Sequence, residues 1–241
     1  MKKLILTFSI FSLAISSSLA HFLWVETNQK GEVGQAHEIK VYFGEFTYGV
    51  KEETEGDAFE KMKNFTLWVV DAAGNKTKLE ASPKEDHYLA SFTPEEEGVY
   101  TVMLDNDEID VIDYSQYDFG IFKTHYHSVA RIGVGSSTDP TVTDNPEGIT
   151  IKNVSQEKSK AALQVMYKEE SLPEAEVVVF VADQWSKTLQ TDEKGMVQFD
   201  LPWDTEYVVE VTKKEEVPGT YNDVPYEFVW HCATHYMTNY Q

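Results

Sequence analysis

The chain has 241 residues, with 20 Lys and Arg against 41 Asp and Glu, and a formal charge of −21. A surface this acidic repels nucleic acid and anionic lipid and attracts cations, so no nucleic-acid partner is expected. The single cysteine, Cys232, excludes an internal disulfide, and 13% aromatic residues argue against disorder.

Lys2 and Lys3, an apolar run over residues 4–15 and the small residues of Ser18-Leu19-Ala20 read as a signal peptide cut after Ala20. The mature chain would then start at His21, reside in the periplasm or be secreted, and carry a formal charge of −23, since losing two lysines leaves 18 basic residues against 41 acidic ones. No later apolar run is long enough to span a bilayer, so stable membrane insertion is not expected. From there period-two alternation dominates. Ile39, Val41 and Phe43 alternate with Glu38, Lys40 and Tyr42, and Phe65, Leu67 and Val69 repeat the pattern before a turn at Ala73-Gly74-Asn75. Residues 48–61 read as a polar loop with little core role, and the one short helical signal lies over residues 52–63. Tyr88, Ala90 and Phe92, residues 98–104 and a long stretch over residues 119–134 complete the strands of the first half. Gly135-Ser136-Ser137-Thr138-Asp139-Pro140 and Asn145-Pro146-Glu147-Gly148 form the best linker candidate. Strands resume over residues 162–167, 176–182, 196–201, 207–212 and 228–238. The expectation is an all-β protein with a signal peptide over residues 1–20 and two β-sandwich domains over residues 21–145 and 146–241. The second domain has the pattern of transthyretin (prealbumin) or carboxypeptidase-regulatory sandwiches.

The histidines carry the chemistry. A chain that starts at His21 offers one ion both its α-amine and ring Nδ1, and an amine with a reference pKa of about 8 loses its proton cheaply near neutral pH. His125 and His127 lie two apart in a strand, on one face and about 7 Å apart along it, a spacing at which two imidazoles can converge on one ion. Lys123 and Arg131 share that face and would oppose a cation unless turned away. His231 and His235, four apart in a strand, would stand about 13 Å from each other, so at most one can join, and His231 beside Trp230 is the better candidate. His37 and His87 read as surface residues at strand starts. Glu45 is favoured over Glu26 as the completing carboxylate. The expected metal set is therefore His21, His125, His127, His231 and Glu45. Nitrogen donors with one carboxylate suit Ni2+, Cu2+ or Zn2+ better than Ca2+ or Mg2+. Cys232 reads as a small buried hydrophobe.

No Gly-x-Ser-x-Gly elbow, glycine-rich phosphate loop or His-Glu-x-x-His pair occurs, and no enzymatic activity is expected. Two other readings use the same chain. One is a copper histidine brace, as chaperone or oxidase, built on His21. The other is a non-enzymatic glycan or surface-binding module using Trp185 and Trp203 or the acidic loop.

A resemblance spans nearly the whole mature chain. It is carried by His21-Phe22-Leu23-Trp24-Val25-Glu26, Tyr42-Phe43-Gly44-Glu45-Phe46, Glu97-Gly98-Val99-Tyr100, Pro146-Glu147-Gly148-Ile149, Leu172-Pro173-Glu174-Ala175-Glu176-Val177, Thr191-Asp192-Glu193-Lys194-Gly195 and Trp230-His231-Cys232-Ala233-Thr234. On these residues the chain resembles a family of exported bacterial proteins catalogued as a domain of unknown function. Members of that family accompany nickel and cobalt transporters of the energy-coupling-factor type. The resemblance implies immunoglobulin-like and prealbumin-like sandwiches and a periplasmic accessory protein that binds Ni2+ or Co2+ and serves an inner-membrane metal transporter.

Overall fold

The computed structural model describes residues 21–136, 141–157, 159–182 and 185–239. The expected signal peptide and part of the linker, residues 137–140, lie outside the described residues. The chain is all-β. Its main strands are β1 (Phe22–Thr27), β2 (His37–Glu45), β3 (Val50–Lys51), β4 (Thr66–Val70), β5 (Lys76–Leu79), β6 (Tyr88–Phe92), β7 (Gly98–Asn106) and β8 (Ile121–Val134) in the first half. The second half adds β9 (Ile149–Asn153), β10 (Lys160–Tyr167), β11 (Glu176–Val181), β12 (Trp185–Gln190), β13 (Met196–Asp200), β14 (Glu206–Glu215) and β15 (Phe228–Thr238). The helical signal over residues 52–63 shrinks to one turn, α1 (Asp57–Glu60). Among the described residues no helix is long and apolar enough to cross a membrane.

A ten-stranded sheet runs through both halves in the order β12-β11-β14-β15-β8-β7-β4-β5. Its central joint is a parallel ladder between β8 and β15, running from Phe122 opposite Phe228 to Ala130 opposite Tyr236. A five-stranded sheet built on β1-β2-β6, with β3 on the edge of β2, packs on one face. A four-stranded sheet with β9-β10 and β13 packs on the other. The alternation of β15 divides the two cores: Cys232 and Tyr236 point into the first, with Trp24, Val41, Leu104 and Tyr126, whereas Ala233 and Met237 point into the second, with Ile151, Leu163, Val179 and Val209. Two sandwiches thus share one wall.

Two expectations about individual residues change. The polar loop does reach the core: Phe59 is fully buried and packs on Phe43 and Tyr88. An apolar side chain with a neighbouring aromatic cluster is pulled in whatever the polarity of the loop that carries it. His37 is buried rather than on the surface, because Gly31 at the edge of β8 lies against its ring.

Candidate metal centre

His21 precedes β1 and stands against the turn between β2 and β3. Its Nε2–H donates to Glu52 Oε1 at 2.7 Å, and its Nδ1 lies 3.2 Å from Glu45 Oε1. The two carboxylates arrive by different routes. Glu45 ends β2, which pairs with β1 from Phe22 opposite Gly44 onward. Glu52 follows β3, which folds back on β2 through Gly49, a left-handed residue closing the turn. The ring rests on Phe43, and the Tyr126 hydroxyl donates to the His21 carbonyl. About a third of the side chain remains exposed, so the site is open to solvent. A neutral imidazole has one N–H. Once Glu52 holds it, Nδ1 and the Glu45 oxygen oppose each other lone pair to lone pair, an arrangement that needs a proton or a cation between them.

The structure thus brings Glu45 to His21 and leaves His125, His127 and His231 elsewhere. The reason lies in the pleat. Ser128 Oγ accepts from the Val25 amide, and Thr234 Oγ1 donates to the Leu23 carbonyl, so the even-numbered residues of both strands face β1. His125, His127, His231 and His235 occupy the alternate positions and point to the opposite face. There His125 Nε2–H donates to Asp105 Oδ1 at 2.9 Å, and His127 Nδ1 lies 3.5 Å from the same oxygen. His231 is the register partner of His125, and its Nε2–H donates to Glu215 Oε2 at 3.1 Å. His235 is wholly buried, with Asn153 Nδ2 3.4 Å from its Nε2. Among the described residues no group of three or more His, Cys, Asp or Glu side chains that could hold a metal ion is found.

The chain matches the family model described as a domain of unknown function, DUF4198, over residues 18–215. It belongs to that family. No curated protein matches this DUF4198 chain. Among solved structures it is similar to a segment of two fibronectin type III domains from chicken tenascin, at 12% identity, covering 89% of this chain and 97% of that one, with a TM-score of 0.24. A DUF4785 family protein from Legionella pneumophila aligns at 13% identity over 78% of this chain and 51% of its own, with a TM-score of 0.27. The BSP domain of a biofilm-associated protein aligns at 10% identity over 89% of this chain and 29% of its own, with a TM-score of 0.23. At such scores none of these overlays carries an argument about the site.

The electrostatics of the DUF4198 chain separate its histidines. Burial pushes His231 and His235 down to about 4, with Glu215 opposing the shift at His231. Burial also lowers His127, against the pull of Asp105. Burial would raise Asp105, but hydrogen bonds and charge from His125 and His127 outweigh it and hold the carboxyl well below the usual range. Lys123 reaches the Asp107 carbonyl and the Tyr221 ring and stays within electrostatic range of Asp105, and the Arg131 guanidinium folds back over Gly133. Sequence reasoning missed Glu52 and Asp105. Glu52 sits in a loop crowded with acids that mask it. Asp105 comes from a neighbouring strand, and only the antiparallel register of β7 on β8 carries it to the histidines. Of the expected exposed aromatic pair, Trp203 is 45% exposed and meets Trp185 edge-on at 5.0 Å.

Proposed function

We propose that this protein is exported, trimmed after Ala20 and binds Ni2+ or Co2+ at His21, serving an inner-membrane metal transporter without catalysis of its own. The observation that carries the reading is the pair of carboxylates on the two edges of one imidazole. Glu52 fixes the Nε2–H tautomer, which leaves Nδ1 as the free donor beside Glu45. Trimming would place the α-amine in chelate position with Nδ1, and Glu45 would supply an oxygen. The amine is the donor that the side chains by themselves lack. This N,N,O set also accepts Cu2+ and Zn2+, and the resemblance to proteins accompanying nickel and cobalt transporters is what favours the first two ions. The partners of the His21 ring nitrogens are carboxylates, which supports a transport ion over a copper brace built from two imidazoles.

The test is calorimetric titration of protein beginning at His21 with Ni2+, Co2+, Cu2+ and Zn2+, beside the same protein carrying one extra alanine before His21. The expected result is micromolar or tighter binding that the extra alanine weakens sharply. Affinities all weaker than about 10 µM, roughly −7 kcal/mol, would reject the reading. Unchanged affinity on extension would remove the amine from it.

A further inference from the structure

Beside the turn between β2 and β3 lies a cavity of about 180 Å3. Trp24 and Glu26 of β1, Phe46 and Val50 of the turn, Lys51 of β3 and Glu206 at the start of β14 line it. We infer that this cavity binds a primary alkylammonium group, carried by a small free amine or by a lysine side chain of a partner, between the Glu26 and Glu206 carboxylates and against the Trp24 and Phe46 rings. The site is independent of the one at His21.

Three observations carry it. The first is unspent acceptor capacity. Glu26 Oε1 accepts from Trp24 Nε1–H at 2.8 Å, and Glu206 Oε1 accepts from the Tyr236 hydroxyl at 2.9 Å. A carboxylate has about four lone-pair sites, so one neutral donor leaves each of them able to accept more. Burial pushes the Glu26 carboxyl up, and the neighbouring charge of Glu206 pushes it further, against the Trp24 N–H and the charges of Lys51 and Lys40. The second is the walls. Trp24 stacks on Tyr42 at 5.3 Å and meets Phe46 edge-on at 5.8 Å, so the carboxylates stand among aromatic faces that attract a cation. Rings and carboxylates together suit an organic ammonium, whereas hard metal ions seek oxygen alone.

The third is the group already resident there. Lys51 Nζ, itself a primary ammonium, lies 3.6 Å from the Tyr42 ring centroid and 3.8 Å from Glu26 Oε1. The ring and the carboxylate therefore already receive this chemistry from within the chain. At 3.8 Å the lysine falls short of a hydrogen bond, so it does not satisfy Glu26, and it is one charge set against two. Its side chain is about a third exposed and stands on a two-residue edge strand, so its flexible stem can swing outward. The volume lies below the roughly 300–1,000 Å3 of sites for drug-sized ligands, which limits the occupant to a short chain.

The test titrates metal-stripped wild type and Lys51→Ala with butylammonium chloride at pH 8, by calorimetry and by proton NMR of the probe. Lys51→Ala removes the resident competitor and is expected to bind at least about 10-fold more tightly than wild type, with the probe's methylene signals moved upfield by the rings. Glu206→Gln added to Lys51→Ala should weaken binding at least about 10-fold, through loss of a charge-assisted hydrogen bond. Butan-1-ol, which has the chain without the charge, should not compete. Nα-acetyl-lysine amide separates the two sources: its binding assigns the site to a partner's lysine, and its exclusion while butylammonium binds assigns it to a free amine. No binding of butylammonium by Lys51→Ala would overturn the proposal, as would equal binding of butan-1-ol or indifference to Glu206→Gln. If Lys51→Ala fails to fold, the Lys51 methylene signals of wild type decide. They should move downfield, away from the Tyr42 ring, as butylammonium is added, and unmoved signals overturn the proposal.

Discussion

His125 and His231 meet edge-on across the parallel ladder of β8 and β15, with ring centroids 5.4 Å apart. One comes from each half of the chain, and each is held from outside by its own carboxylate, Asp105 on β7 and Glu215 on β14. The joint between the two sandwiches is therefore a row of titratable groups in a place where most proteins put aliphatic residues.

That row makes the fold acid-sensitive. His231 and His235 sit at about 4 in the fold, against 6.5 for an unperturbed ring. Above pH 6.5 both are neutral in the folded and unfolded states. Between 6.5 and about 4 only the unfolded chain takes up the proton, so stability falls as pH falls, by roughly 3 kcal/mol per ring once pH is below 4. Glu215, which burial would raise but which Lys168, Tyr167 and His231 pull down to about 2, adds a loss of the same sign between 4.5 and 2. Urea unfolding at pH 8, 6 and 5 should show the decline. In His235→Gln the slope between pH 6 and 5 should flatten by up to one proton, about 1.4 kcal/mol per pH unit. An identical slope in the variant would remove His235 from the account.

Glu210 works in the opposite direction. It lies in the shared wall beside Cys232, whose thiol donates to it at 3.4 Å, and burial pushes its carboxyl up to about 7 from 4.5. Its contribution is intact below pH 4.5 and is lost as pH rises through 7, because the fold must then hold a buried, weakly partnered charge. Glu210→Gln is therefore expected to stabilise the protein at pH 8 by roughly 1–3 kcal/mol and to match wild type at pH 4.5. Equal stability of the two proteins at pH 8 would contradict this.

What the sequence discloses and what it hides follow from the range of each force. Alternation within a strand is local, so β2 with Ile39, Val41 and Phe43, and β15 over Phe228–Thr238, are legible residue by residue. The pairing of His125 with His127 on one face is legible for the same reason. Which neighbour covers that face is not local. It is decided by contacts such as Val25 with Ser128, 103 residues apart, and Thr234 with Leu23, 211 apart. Expecting His21 beside His125 amounts to guessing that face without those contacts. Glu45 is legible because β1 and β2 are neighbours in sequence and pair directly. Glu52 is not, because its position depends on a left-handed turn at Gly49.

Gly44 tests how tightly the His21 site is built. It lies in β2 at a φ of +152°, and a Cβ placed on it would stand 2.1 Å from the Val50 carbonyl oxygen. Only glycine lets β3 approach this closely, and β3 leads directly to Glu52. Gly44→Ala should cost more than about 2 kcal/mol in urea unfolding, from strain and displacement together. It should also weaken metal binding at His21. A stability loss below about 0.5 kcal/mol would show that β3 can be lifted freely.

Glu52 and Glu45 differ in role although both touch His21. Glu45 is the donor offered to the ion. Glu52 holds the ring by Nε2–H and thereby determines which nitrogen is free, so it is a positioning residue. Glu52→Gln keeps a carbonyl acceptor at the same length, and it is expected to weaken Ni2+ binding only about 10-fold, within the range for an outer-shell partner. Glu52→Ala loses the acceptor altogether and should cost nearer 100-fold, because the ring can then adopt the other tautomer. Glu45→Gln, which removes the coordinating charge, should exceed both. Calorimetry with Ni2+ on the three variants ranks them directly. If Glu52→Ala proves more damaging than Glu45→Gln, the two roles are reversed and the ion lies on the Nε2 side of the ring.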